Sequence, residues 1–148
     1  MTAALTIADA EVAFESAQLL LTTEPMPAFH TRAPHRLEAV LAAPFASFDG
    51  REQYPSLEEK AAVLFYAACK DHPFQNGNKR MAVVLTNTFL MLNGAELDTD
   101  ALTLYDVAYE VTETMSDRRP EALTYLTRFV QENVRALDVG DIHEPLAA

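Results

Sequence analysis

The sequence contains a single cysteine, Cys69, among its 148 residues. One cysteine cannot form a disulfide within the chain, so the fold cannot depend on such cross-links, and a reducing compartment is the simpler expectation. A lone cysteine inside an apolar segment is more often a core residue than a nucleophile. Cys69 is therefore predicted to lie in the core.

Basic residues are also scarce. Lysine and arginine number 11 against 22 aspartate and glutamate residues, which gives a net charge of −11, and no block of basic residues stands out. Nucleic-acid-binding proteins usually neutralise phosphates with clustered basic side chains. Direct binding to nucleic acid or to an anionic membrane is therefore not expected.

No apolar run is long enough to span a bilayer. The longest covers residues 81–92 and is interrupted by Thr86, Asn87 and Thr88, whereas a membrane-spanning helix needs about 20 apolar residues. Residues 1–9 lack the basic and then apolar pattern of a signal peptide. These features predict a cytoplasmic protein without a membrane partner.

The rest of the composition is that of a globular protein, with 49% hydrophobic and 22% charged residues. A chain of this length can bury a core as one domain. Residues 1–137 are predicted to form that domain, and residues 138–148, which lack periodicity, a flexible C-terminal tail. Helical patterns predominate and no convincing set of strands appears, so the predicted fold is an all-α, compact helical bundle.

Apolar spacing and stop signals predict six helices. They cover residues 6–22, 35–43, 57–70, 78–92, 103–115 and 120–137. Ser56 and Glu59 form a capping-box pattern at the start of the third helix, and its apolar residues on all sides predict a central, buried position. Residues 44–55 contain the turn dipeptide Asp49-Gly50 and are consistent with a loop or a small hairpin.

The segment between the two most apolar helices reads His72-Pro73-Phe74-Gln75-Asn76-Gly77-Asn78-Lys79-Arg80. Lys79 and Arg80 add positive charge to the positive end of a helix dipole, at a cost of roughly 0.3–1 kcal/mol each unless an anion binds there. A phosphate group removes this conflict, because the backbone amides of Gly77, Asn78 and Lys79 can cradle it. Gly77 is expected to let the backbone approach the ligand closely.

His72, at the end of the third helix, is predicted to face the same site. Imidazole titrates near neutral pH and can take the proton from an attacking hydroxyl group. Phe74 is predicted to point inward and to pin the loop to the core. Singly, His72 could be an ordinary helix-end histidine, Gly77 a turn residue and Asn78 an N-cap. Their ordered combination favours a chemical role.

The segment HPFQNGNKR resembles the signature of the Fic/Doc superfamily, H-P-F-x-(D/E)-G-N-(G/K)-R. Because Lys79 replaces the usual glycine, the chain is similar to the Doc (death-on-curing) branch, and the similarity extends over roughly residues 36–94. The resemblance implies a compact Fic/Doc-like helical bundle with a central helix-loop-helix and a short flap, which could be a β-hairpin.

The resemblance also implies a function. Doc-type toxins transfer the γ-phosphate of ATP to a hydroxyl group of elongation factor Tu, which blocks translation, and a separate antitoxin protein neutralises them. Two alternatives stay open: a Fic-type enzyme that transfers AMP from ATP to a protein, and a catalytically degenerate Fic-fold binding protein. Val83 stands where AMP-transferring members usually carry a second arginine, which favours the Doc branch.

Carried onto this sequence, the resemblance makes His72 the general base and Phe74 a structural anchor, with ATP and Mg²⁺ as cofactors. It assigns the phosphates to Gly77, Asn78, Lys79 and Arg80. The family's magnesium-binding acidic residue is Asn76 here, and its neutral amide oxygen can still ligate a hard cation. The implied flap, which aligns the target polypeptide by strand addition, comprises Ser47, Phe48, Asp49, Gly50, Arg51, Glu52, Gln53 and Tyr54.

Two other patterns are missing from the sequence. There is no Walker-type phosphate loop, which argues against an ordinary P-loop kinase. There is also no stretch with the family's autoinhibitory pattern, a Ser or Thr followed after three residues by Glu and then Gly or Asn. Inhibition is therefore expected to come from a separate protein.

Overall fold

The computed structural model describes residues 1–19, 24–115 and 117–137. Within these residues the chain forms six α-helices and two antiparallel sheets of two strands each. The helices are α1 (Ile7–Ala17), α2 (Pro34–Ala42), α3 (Leu57–Lys70), α4 (Asn78–Leu92), α5 (Ala101–Thr114) and α6 (Arg119–Asn133). The strands are β1 (Ser47–Phe48), β2 (Arg51–Glu52), β3 (Ala95–Leu97) and β4 (Val134–Ala136). The predicted mostly helical bundle is confirmed.

Helix α3 forms the centre of the bundle. It packs against α4 and α6, and it also contacts α2, α5 and the 3₁₀ turn Ala43–Phe45. Ten successive residues, from Lys60 to Cys69, are buried. The predicted buried helix is therefore confirmed, and because neighbours cover it on all sides, no face of this stretch needs to be polar.

The starts of the helices are set by local capping. The Ser56 hydroxyl accepts from the Glu59 backbone amide at 3.0 Å, and the Glu59 carboxylate accepts from the Ser56 amide at 3.2 Å. Thr6 and Asp9 form the same reciprocal pair at the start of α1. These bonds satisfy amides that have no partner within a helix, and they confirm the predicted capping box.

The two central helices begin and end where the sequence predicts, at residues 57–70 and 78–92. Helix α1 ends at Ala17, earlier than predicted, and residues 20–22 of the predicted helix lie outside the described residues. Helix α6 ends at Asn133 instead of residue 137. The predicted tail, residues 138–148, also lies outside the described residues.

The sequence showed no convincing set of strands, and it gave no sign of the second sheet. β3 pairs with β4 in the register Ala95↔Ala136, Glu96↔Arg135 and Leu97↔Val134. Strands of three residues are too short to show an alternating pattern, and residues 134–136 fit a helical pattern equally well. The pairing is decided by tertiary contacts, since the Leu137 amide donates to the Gly94 carbonyl at 3.0 Å and the Asp98 amide donates to the Asn133 carbonyl at 2.7 Å.

The segment between α2 and α3 forms a hairpin. β1 pairs with β2 in the register Ser47↔Glu52 and Phe48↔Arg51. Asp49 and Gly50 form the two-residue turn with φ of 54° and 76°, as a type I′ turn requires. Of the two alternatives that the sequence left open for this segment, the small hairpin is therefore the correct one.

No helix in the described parts of the chain is long and apolar enough to cross a membrane.

The buried hydroxyl of Thr86 in α4 offers a test of the core. Within the described residues this hydroxyl has no hydrogen-bond partner, and an unsatisfied buried polar group destabilises a protein by about 1–3 kcal/mol. Thr86→Val keeps the side-chain shape, so we expect the free energy of unfolding to rise by up to about 1 kcal/mol in urea denaturation. Thr88→Val is the control, because the Thr88 hydroxyl donates to the Val84 carbonyl at 2.8 Å. If Thr86→Val destabilised the protein, the conclusion that this hydroxyl has no hydrogen-bond partner would be contradicted.

Candidate active site

The loop between α3 and α4 and the first turn of α4 line a cleft of about 220 Å³. From this segment the lining residues are His72, Gln75, Asn76, Gly77, Asn78, Lys79 and Arg80. The remaining lining residues are Glu24, Cys69, Tyr105 and Thr112. The structure thus brings the predicted base and the predicted phosphate-binding residues together. A larger cleft of about 440 Å³, between α3 and α6, contains none of them.

The side-chain amide of Asn78 closes the loop. Its Oδ1 accepts from the Phe74 backbone amide at 3.0 Å, and its Nδ2 donates to the Phe74 carbonyl at 2.9 Å. Asparagine fits this position because its amide carries an acceptor and a donor side by side. The alternative interpretation of Asn78 as an N-cap is wrong, since Gly77 is the N-cap of α4.

Phe74 lies beneath the loop and is 5% exposed. Its ring centroid lies 5.7 Å from that of Phe14 and 5.9 Å from that of Phe29. The Pro73 carbonyl also accepts from the Ala33 amide at 2.8 Å. The loop is therefore attached to α1 and to the segment before α2, which limits how far His72 and Gly77 can move.

His72 follows the C-cap of α3, is exposed, and has a left-handed backbone with φ of 49°. Glycine usually occupies this conformation at a helix end, because a Cβ atom is strained there. Asparagine is the next most frequent residue, since its short polar side chain can form local hydrogen bonds. The His72 Nδ1 atom lies 3.4 Å from Asn78 Nδ2. Since both bonds to Phe74 fix the orientation of the Asn78 amide, the group that faces Nδ1 is a donor.

Gly77 has φ of 85°, a left-handed conformation that favours glycine. A Cβ atom at this position would lie 2.5 Å from Met26 Cε. The sequence predicted that the missing side chain makes room for a ligand. In the structure the close approach is made by Met26, so the need for glycine arises at least in part from packing within the protein.

Two cations occupy the start of α4. Lys79 is partly buried, with its Nζ 5.7 Å from the ring centroid of Tyr109. Arg80 is 2% exposed, and its Nη1 donates to the Glu24 carbonyl at 2.5 Å. The first turn of α4 contains no acidic residue, so these charges add to the positive end of the helix dipole. Two cationic residues and one acidic residue, Glu24, line the cleft, so its lining is net positive and suited to an anion.

Several lining residues were not predicted as part of a site. Tyr105 and Thr112 lie seven residues apart in α5, which places them on one face of that helix. This spacing can be read from the sequence, but the part of the protein that this face of α5 contacts cannot. Cys69 is 1% exposed, as predicted for a core residue, and burial raises the pKa of its thiol to about 12. The thiol is neutral at physiological pH and is therefore a poor nucleophile.

The residues at the expected magnesium position do not fit an ion held by the protein. The Oδ1 atom of Asn76 accepts from the neighbouring Gly77 amide at 2.8 Å. Among the residues that the structure describes, no three His, Cys, Asp or Glu side chains are grouped to hold a metal ion. Mg²⁺ in phosphate-transferring sites is usually held by one or two carboxylates together with the substrate phosphates, whereas Asn76 offers an engaged, neutral oxygen.

The predicted flap residues, Ser47 to Tyr54, form the β1–β2 hairpin and the turn that follows it. Apart from Tyr54 they are exposed, and none of the eight residues lines the cleft that contains His72. The Tyr54 hydroxyl accepts from Arg119 Nη2 at 3.1 Å, which ties the end of the flap to the start of α6.

Comparison with known proteins identifies relatives of the chain. The family model of the Fic/DOC family matches residues 9–90. A curated protein from Mycolicibacterium smegmatis (strain ATCC 700084 / mc(2)155), Toxin Doc, is 41% identical over 64 residues, which are 43% of this chain and 49% of the relative. The match thus spans about half of the length of this relative. No solved structure matches the chain.

The loop closure by Asn78 can be tested with an isosteric change. Asn78→Asp keeps the acceptor for the Phe74 amide but places an oxygen against the Phe74 carbonyl. We expect the free energy of unfolding to fall by about 2 kcal/mol in urea denaturation, because a buried carbonyl loses its donor.

Asn76→Asp is the matched control for this experiment. It makes the same chemical change at an exposed position and keeps the acceptor for the Gly77 amide. Its effect should stay within about 0.5 kcal/mol. Equal stabilities of the two variants would show that the Asn78 amide does not hold the loop.

Proposed function

Because the chain belongs to the Fic/DOC family, we propose that it is a Doc-like toxin of a toxin–antitoxin system. It transfers the γ-phosphate of ATP to a hydroxyl group of a translation factor similar to elongation factor Tu, and so blocks translation in the cytoplasm. A separate antitoxin protein neutralises it. The main support is one cleft lined by an exposed histidine and by two cations at the start of a helix. The name of the relative, Toxin Doc, supports the toxin assignment.

The phosphates of ATP bind at the start of α4. The backbone amides of Asn78 and Lys79 lie in the first turn, where amides have no partner within the helix and can donate to an anion. The Lys79 ammonium neutralises phosphate charge, and the buried Arg80 adds fixed positive charge to the same cleft. Gly77 and Asn78 keep this turn in place through the Met26 packing and the bonds to Phe74.

His72 is the general base. Its Nε2 takes the proton from the target hydroxyl, whose oxygen attacks the γ-phosphorus, and the bond from that phosphorus to the β–γ bridging oxygen breaks, so that ADP leaves. In the tautomer that this step needs, Nδ1 carries a hydrogen, and the long contact with Asn78 Nδ2 must break. Catalysis then consists mainly of positioning and of charge stabilisation.

Magnesium has no step of its own in this proposal, because Asn76 provides no charge for a metal ion held by the protein.

One residue bears on each of the two alternative functions. Val83 is fully buried in the core, at the position where AMP-transferring members usually carry a second arginine, which speaks against AMP transfer. Asn76 in place of an acidic residue is the observation that favours a degenerate binding protein.

The deciding experiment uses ATP labelled separately at its α- and γ-phosphates, with magnesium, purified protein and a bacterial lysate. Transfer of label to a lysate protein from γ-labelled ATP alone is the expected result. His72→Ala should reduce the transfer by at least about 100-fold, because it removes the general base. His35→Ala, which changes an exposed histidine outside the cleft, is the matched control.

The other outcomes discriminate between the alternatives. Label from the α-position would identify an AMP transferase. No transfer from either position would contradict an enzymatic role and favour the degenerate binding protein. Full activity of His72→Ala would remove His72 from the mechanism.

A second prediction concerns the metal. Asn76→Asp restores a carboxylate at the family's metal position, so the magnesium concentration for half-maximal transfer should fall by at least roughly threefold, since carboxylate charge strengthens binding of hard cations. Gln75→Glu adds the same charge to the neighbouring lining residue and is the control. An equal fall in both variants would show a general charge effect rather than a ligand position at residue 76.

A further inference from the structure

Lys60 is a buried cation that the proposed chemistry does not use. It lies in the first half of α3 and is 1% exposed. A buried ammonium group is costly unless it is paired with an opposite charge and hydrogen-bonded. The groups that contact the Lys60 ammonium therefore indicate its role in the protein.

The contacts of Lys60 all lead to the hairpin. Its ammonium donates to the Tyr54 carbonyl, lies 3.1 Å from Glu52 Oε1, and sits 5.6 Å from the ring centroid of Phe45. Phe45 precedes β1, Glu52 belongs to β2, and Tyr54 follows β2. One side chain of the central helix thus contacts both ends of the hairpin segment.

The hairpin needs such an attachment. Each of its strands has only two residues, all of them exposed, and an isolated two-stranded hairpin is at best marginally stable in water. Phe48, next to the turn, is 76% exposed and gives the hairpin no anchor in the core. Its position on the bundle therefore depends on contacts at its base, which include the packing of Phe45 on the buried Phe89 and the contacts of the buried Lys60.

The ladder geometry shows which backbone groups Lys60 would orient. The Gln53 amide donates to the Ala46 carbonyl at 3.0 Å, and hydrogen-bonded and non-hydrogen-bonded pairs alternate in an antiparallel ladder. The adjacent pair, Ser47 and Glu52, is therefore non-hydrogen-bonded, and its amide and carbonyl groups point away from the hairpin. An added strand would pair with these outward groups, and the side chain of Glu52 is the one that Lys60 holds.

We propose that Lys60 is a positioning residue for the protein substrate: it fixes the hairpin in the orientation in which an extended segment of the target pairs with its open edge. This inference rests on the proposed function, in which the hairpin docks the target. Neither Lys60 nor its three contact residues lines the cleft that contains His72, so the proposed nucleotide site does not depend on Lys60 directly.

The test variant is Lys60→Met, which keeps an unbranched side chain shorter by one heavy atom and removes the charge. We expect the KM for the protein target to rise by at least roughly tenfold, because binding energy is lost when the docking edge is no longer fixed. The dissociation constant for ATP and the kcat at saturating target should stay within about twofold. Lys70→Met, at the other end of α3, is the matched control.

Hydrogen exchange of the Gln53 amide gives a second readout that needs no activity. Exchange in Lys60→Met should be at least roughly tenfold faster than in the wild type, while the amides of α4 keep their rates. Unchanged exchange at Gln53 would overturn the proposal, because the hairpin would then not depend on Lys60. Faster exchange with an unchanged KM would also overturn it, because Lys60 would then be purely structural.

Glu52→Gln completes the design. It should raise the KM in the wild-type background and have no further effect in Lys60→Met, since the two side chains act through one contact. Independent effects of the two changes would contradict that contact. If the wild-type protein transfers no label at all, the proposed kinase function fails, and exchange at Gln53 still decides whether Lys60 holds the hairpin.

Discussion

The structure depends first on the closure of the loop between α3 and α4 by the Asn78 amide. This pair of hydrogen bonds to one residue, Phe74, sets the path of the chain between the two central helices. Phe74 can then pack on the aromatic rings below, and the first turn of α4 is presented to the cleft. The closure therefore links His72, which follows the end of α3, to Lys79, which lies in the first turn of α4, within one cleft.

Local signals in the sequence were sufficient for the central helices. The Ser56–Glu59 capping box and the proline after His72 act between near neighbours, so their effect on structure can be predicted without the fold. The strand β4 could not be predicted, because Val134 adopts a strand only through its pairing with Leu97. Likewise, the loop residues could be recognised as a group, but the contribution of Tyr105 depends on how α5 packs.

The site also shows the limits of assigning roles by residue type. A glycine in a phosphate-binding loop suggests room for a ligand, whereas the space beside Gly77 is filled by Met26. An arginine suggests a phosphate contact, yet the Arg80 guanidinium is buried and donates to a backbone carbonyl. Lys60 gave no signal, since a lysine near the start of an apolar helix normally extends into solvent. The partners of Gly77 and Arg80 come from a distant part of the chain, and those of Lys60 come from the hairpin segment before α3.

The shortness of the β1–β2 hairpin has a consequence for the behaviour of the protein at high concentration. An open strand edge can pair with any other chain, and long, flat, apolar edges lead to aggregation. Here each strand has two residues, and β2 carries the charged Arg51 and Glu52. Such a short, charged edge can pair with one bound segment but does not favour the growth of a larger intermolecular sheet, so the hairpin can stay exposed without making the protein prone to self-association.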